Sequence, residues 1–160
     1  SDTCSGAALG GNLEMLKLAR ANGCGWNSNT CYGAAIGGHL EILQWARANG
    51  CEWNSDTCSE AALGGHLEIL QWARANGCKW DVGVCSNAAY GHLELLQWAL
   101  ANGCDLDKEI CSTAAREGHL KILQCVHANG IKVNPETFYN EAASGGHIEV
   151  LQWVLWNICP

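Results

Sequence analysis

The chain has 160 residues and a formal net charge of −7. That acidity, with no basic stripe, disfavours nucleic acid as a partner, and no apolar run is long enough to span a bilayer or forms a signal peptide. The eleven cysteines are an odd number, and ten of them fall in recurring slots, so they read as reduced thiols filling small buried positions in a reducing intracellular compartment, the cytoplasm or an organelle interior.

One segment recurs along the chain. It reads ALGGNLEMLKLARANGC from Ala8, AIGGHLEILQWARANGC from Ala35 and ALGGHLEILQWARANGC from Ala62. It continues as AYGHLELLQWALANGC from Ala89, AREGHLKILQCVHANGI from Ala115 and ASGGHIEVLQWVLWNIC from Ala143. The marker residues Asn12, His39, His66, His92, His119 and His147 are spaced 27, 27, 26, 27 and 28 apart. A fixed period of this size predicts stacked copies of one small unit, with repeats at 3–29, 30–56, 57–83, 84–109, 110–136 and 137–160. The opening Ser1-Asp2-Thr3-Cys4 matches Ser55-Asp56-Thr57-Cys58, so the array is expected to enter mid-stream.

Within the third repeat, Thr57 is a candidate N-cap for a short first helix that turns Cys58, Ala61 and Ala62 to the core. The Gly64-Gly65 pair breaks that helix. A second helix from about Leu67 to Ala75 carries Leu67, Ile69, Leu70, Trp72 and Ala73 on a broad apolar arc. Glu68 favours its N-terminus, and Asn76-Gly77 stops it before an extended link from Cys78 to Gly83.

The Ala-Ala pair, the Gly-His step, the LEIL opening and the Asn-Gly stop resemble an ankyrin repeat. The links Gly130–Asn134 (GIKVN) and Gly50–Asn54 (GCEWN) and the stretch Thr137–Ala143 (TFYNEAA) add to the likeness, which covers the whole chain. The repeats are shorter than the usual ankyrin unit, like short variants in large DNA viruses, algae and other protists. The shortening falls where the projecting β-hairpin is normally built. The resemblance implies an all-α, right-handed α-solenoid of stacked helix–turn–helix repeats with shortened or absent β-hairpin fingers. It also implies a non-enzymatic protein-binding scaffold or adaptor.

The candidate chemistry points the same way. Equivalent residues of adjacent repeats stand a helix-packing distance apart, roughly 8–10 Å, which is too far for shared tetrahedral zinc. This separates Cys31, Cys58 and Cys85, and likewise His39, His66 and His92. Cys51 and Cys58 can meet across one link but lack two further ligands. Phe138 and Ile131 stand in the two cysteine slots of later repeats, and Cys125 stands in a Trp slot, preserving apolar volume and destroying ligands. No metal, cofactor or small-molecule substrate is therefore expected, and no catalytic constellation occurs. The His column is expected to tie each inter-helix turn to the neighbouring loop. Two Trp columns (Trp45, Trp72, Trp98 and Trp153 on second helices; Trp26, Trp53 and Trp80 in links, then Leu106 and Val133) are expected as core that holds the stack together.

Partner contacts are expected where side chains vary on the fixed frame. On the concave side these are Tyr32, Ile36, Glu60, Leu63, Asn87, Tyr90, Thr113, Arg116 and Glu117. Link tips such as Glu52, Lys79, Asp105 and Lys132 vary too. The C-terminal end is more apolar than a capping repeat requires, which marks Val154, Leu155, Trp156 and Ile158 as a second contact surface. Two alternatives to the scaffold stand beside it. One is a permanent structural or linker subunit of a large assembly, docked through that end. The other is a Cys/His metal or redox module.

Overall fold

The computed structural model describes residues 2–81, 83–131 and 134–158, apart from the side chains of Asp2 and Lys108. The link residues Lys132 and Val133 and the terminal residues Ser1 and Pro160 lie outside the described residues. Among the described residues there are twelve helices and no strand. They run in pairs: α1 (Asp2–Leu9) and α2 (Leu13–Ala21), α3 (Ser28–Ile36) and α4 (Leu40–Ala48), α5 (Ser55–Leu63) and α6 (Leu67–Ala75). The series continues with α7 (Gly83–Ala88) and α8 (Leu93–Ala101), α9 (Lys108–Arg116) and α10 (Leu120–Ala128), α11 (Pro135–Gly145) and α12 (Ile148–Asn157). The helices fall into two compact units, Ser1–Val84 and Cys85–Pro160.

In the first unit α1 packs on α3 and α3 on α5, and each first helix also packs on its own second helix. The Ala pairs make this close stacking possible, and Ala34, Ala35, Ala61 and Ala62 are fully buried. Gly33 shows how close the approach is: a Cβ there would lie 2.9 Å from the Ser5 carbonyl oxygen. In the second unit α9 packs on α11 and α8 on α10.

Second helices match the sequence expectation at both ends. In α6, Glu68 sits in the first turn and Arg74 in the last, each opposing the helix dipole end it faces. The stop is a Schellman motif. Gly77, at φ 82°, donates its N–H to Arg74 O (3.1 Å), and Cys78 donates to Ala73 O (3.0 Å). Only glycine adopts that left-handed conformation without strain. The motif swings the following cysteine inward, and Cys78 is buried.

First helices begin earlier than the sequence suggests. The N-cap of α5 is Asn54, and Thr57 lies inside the first turn with its side chain fully buried. Asn27, Asp107 and Asn134 cap α3, α9 and α11 with side-chain oxygens that accept from backbone N–H groups. Thr and Asn both serve as caps, so composition did not separate them. Burial of the Thr methyl does.

Candidate interaction surface

The histidine column is structural. His39 Nε2 lies 3.1 Å from Leu9 O, and His66 Nε2 lies 3.1 Å from Ile36 O. A carbonyl only accepts, so Nε2 carries the hydrogen in both rings. Each histidine therefore ties its turn to the end of the preceding first helix, as expected. In the second unit the His119 and His147 rings lie against Gly91 and Gly118 of the preceding turns. Asn12, in the first repeat, does a different job and accepts from Met15 N at 2.8 Å.

Further ties between repeats come from serines on the first helices. Ser5 Oγ donates to Asn29 O (3.1 Å), Ser59 Oγ to Asp81 Oδ1 (2.9 Å) and Ser86 Oγ to Asp107 Oδ2 (3.3 Å). Each serine on a first helix thus reaches the start of the next one. The separations differ, at 24, 22 and 21 residues, so no sequence period marks these ties.

The tryptophans of the two columns are half-buried rather than core. Trp26 meets Trp45 edge-on with ring centroids 5.6 Å apart, and Trp53 meets Trp72 at the same distance. Arginines of second helices stack over the link tryptophans: Arg20 over Trp26 and Arg47 over Trp53 at 4.2 Å, and Arg74 over Trp80 at 4.5 Å. These cation–π contacts shift the Trp columns from a sealed interior to an aromatic–cationic face. A recess of about 450 Å³ opens there, lined by Trp26, Asn27, Ser28, Glu52, Trp53 and Asn54.

The expected groove residues occur in two sets, one in each unit. In the first, Tyr32 and Leu63 are 38% and 36% exposed, while Ile36 and Glu60 are half-buried. The Tyr32 hydroxyl bonds the Glu60 carboxylate, and that charge, together with burial, pushes the phenol up. Burial and the nearby Asp56 raise the Glu60 carboxyl. In the second unit Tyr90 is 48% exposed, Asn87 and Thr113 are half-buried, and Arg116 and Glu117 are exposed. Arg116 Nε sits 3.1 Å from Glu141 Oε2 of the next first helix.

At the C-terminal end Trp156 is 81% exposed and Leu155 is exposed beside it. Ile158 is half-buried and closes α12 by donating its N–H to Val154 O (2.9 Å). Val154 does not belong to this surface. It is fully buried, because it occupies the inward slot that Ala46 and Ala73 hold in earlier repeats.

Cysteines pair within repeats rather than across a link. Cys31 bonds Cys51, and Cys58 bonds Cys78, through their side chains, so the Cys51–Cys58 meeting does not form. Cys85 and Cys104 are joined as a disulfide, and the other eight described cysteines are unlinked. Among the described residues no group of three or more His, Cys, Asp or Glu side chains is arranged to hold a metal ion. None of the helices described is long and apolar enough to cross a membrane.

No family model matches the chain, and comparison with curated proteins finds no match in sequence. Among solved structures it is similar to the human ASB11 ankyrin repeat domain, with a TM-score of 0.77 and 19% identity. The match covers 98% of this chain and 84% of that one. The chain therefore has the ankyrin-repeat fold, an all-helical repeat architecture.

Proposed function

We propose that the chain is a protein-binding scaffold that holds a polypeptide partner against its first helices and links. The observation that carries this reading is the contrast along the first helices. Paired alanines are sealed in the stack, while the adjoining positions present Tyr32, Leu63, Tyr90 and Arg116 to solvent. Rigid helices that display preordered aromatic and charged side chains bind with little entropy cost, and tyrosine and arginine are the residue types that dominate interface energies. The residues assigned to the partner are Tyr32, Ile36, Glu60 and Leu63 in the first unit, and Asn87, Tyr90, Thr113, Arg116 and Glu117 in the second. The reading includes no catalytic step.

The test is quantitative co-purification from the native source. Wild-type chain is compared with a Tyr32→Ala/Leu63→Ala variant and a Tyr90→Ala/Arg116→Ala variant. A partner that falls at least tenfold in both variants supports the groove. Retention of every partner by both variants rejects it.

A second reading rests on Trp156, whose exposure is unusual for so large an apolar ring. In it the chain is a fixed subunit of a larger assembly, docked through Leu155, Trp156 and Ile158. A stoichiometric neighbour that is lost in Trp156→Ser favours this reading over the groove.

A further inference from the structure

Four repeats carry a cysteine on the first helix and another just after the second: Cys4 and Cys24, Cys31 and Cys51, Cys58 and Cys78, Cys85 and Cys104. Backbone geometry fixes both members of each pair. The first rides a buried helix face. The second follows the Gly of the Schellman stop, and its N–H bonds the Ala five residues earlier: Cys51 to Ala46 O at 2.9 Å, Cys78 to Ala73 O and Cys104 to Ala99 O at 3.0 Å. In the fourth repeat this arrangement brings Cys85 and Cys104 to a Cα separation of 6.3 Å and joins them as a disulfide, a spacing inside the range that disulfides span. The second and third repeats hold the same backbone arrangement with free thiols in contact.

We propose that Cys31/Cys51 and Cys58/Cys78 are intra-repeat disulfide staples, closed by thiol–disulfide exchange in the same slots that Cys85 and Cys104 occupy when linked. Local chemistry divides the roles within each pair. Cys51 Sγ donates to Asn27 O at 3.2 Å and Cys78 Sγ to Asn54 O at 3.3 Å, while the partner thiols of Cys31 and Cys58 bond to those sulfurs. The Cys31 thiol stabilises a Cys51 thiolate, assisted by the Arg47 guanidinium and the Thr30 hydroxyl, and the same bond pushes Cys31 up. Thr30 Oγ1, which acts on the Cys51 sulfur, is buried and makes no conventional hydrogen bond. A donor held beside a sulfur and otherwise unsatisfied fits a site where thiolate forms.

The step balances with an external disulfide such as oxidised glutathione. The Cys51 thiolate attacks one sulfur of that disulfide, breaks its S–S bond and releases one thiolate. Cys31, deprotonated, then attacks Cys51 Sγ in the mixed disulfide and expels the second thiolate. Two protein thiols are oxidised and one disulfide is reduced to two thiols. Both protein sulfurs are shut off from solvent, so exchange proceeds when the link opens.

The chain carries its own control. In the fifth repeat Cys111 is buried in the first-helix slot, but Ile131 occupies the second. The experiment equilibrates the reduced full chain in oxidised glutathione with enough urea to permit opening. It is then returned to native buffer, alkylated, and mapped by peptide mass spectrometry. Cys31–Cys51 and Cys58–Cys78 linkages are expected, with Cys111 alkylated or carrying glutathione. Closure of each staple should lower the unfolding equilibrium constant by roughly 100-fold, as for a loop of about twenty residues. A Cys51→Ile variant, copying the fifth repeat, should free Cys31 and leave the Cys58–Cys78 link intact. Persistent free thiols at these four positions, or Cys51–Cys58 cross-pairs, overturn the proposal. Linkage without a gain in stability overturns the stapling role.

Discussion

The first unit builds one packing device three times, and the second unit has replaced it. In repeats one to three an arginine of the second helix lies over the tryptophan of the following link: Arg20 on Trp26, Arg47 on Trp53, Arg74 on Trp80. In repeats four and five the arginine slot holds Leu100 and then His127, and the link tryptophan becomes Leu106 and then Val133. Both partners change together. His127 instead meets the Trp153 ring edge-on at 5.5 Å. A pair that is replaced as a pair is a packing unit. The first unit thus pairs an arginine with a link tryptophan in each repeat, whereas the second holds an ion pair at Arg116–Glu141.

If the two units share one frame beneath these differences, deleting the same core slot in each should have the same effect. Leu70 and Leu123 occupy equivalent positions and are both buried. Replacing either with Ala should cost about 2–5 kcal/mol by urea denaturation, the usual range for an emptied leucine site. A cost below about 1 kcal/mol at Leu123, with a full cost at Leu70, would mean that the second unit is loosely packed. The turn chemistry offers a smaller check on the same point. Gly77 and Gly130 have φ of 82° and 80°. Gly→Ala at each should cost about 1–2 kcal/mol, the penalty for placing a Cβ in the left-handed region.

Much of this frame was legible in the chain itself. The bounds of the second helices, the Gly stop and the His ties follow from periodicity and from residues whose chemistry permits one role. What escaped notice depends on distances that only the fold supplies. The cysteine pairs lie about twenty residues apart in sequence and meet only because a Schellman turn redirects the chain. Trp26 and Trp53 read as core because aromatic columns usually are, yet arginine stacking covers one face of each and leaves the ring half open. Val154 read as part of an exposed run because its neighbours Leu155 and Trp156 are outward, although helix geometry turns it inward. The serine ties were hidden because serine is common at exposed positions.

The Arg–Trp device itself can be dissected by a double-mutant cycle. Arg47→Leu alone should cost about 1 kcal/mol, the value of a partly desolvated cation–π contact. In a Trp53→Leu background the same change should cost less by at least about 0.5 kcal/mol, because the ring it covers has gone. The Leu/Leu combination imitates repeat four, where Leu100 and Leu106 already stand. Additive costs would show that the arginine acts through its packing stem or its bond to the Cys51 carbonyl rather than through the ring.

The smallest stability effect belongs to Arg116, and it best separates frame from function. Its Nε is 3.1 Å from Glu141, but the two side chains are 54% and 32% exposed. Solvent screens such a pair, so Arg116→Ala should cost well under about 1 kcal/mol of folding stability. Arginine is also among the residues that carry most binding energy at protein interfaces. In the scaffold reading, the same substitution should weaken partner binding at least tenfold by calorimetry, about 1.4 kcal/mol. Glu141→Ala frees the guanidinium without removing it, so it should leave binding within a few-fold of wild type. If Glu141→Ala weakens the partner as much as Arg116→Ala does, the ion pair acts by holding α9 and α11 together and the arginine is not itself a contact.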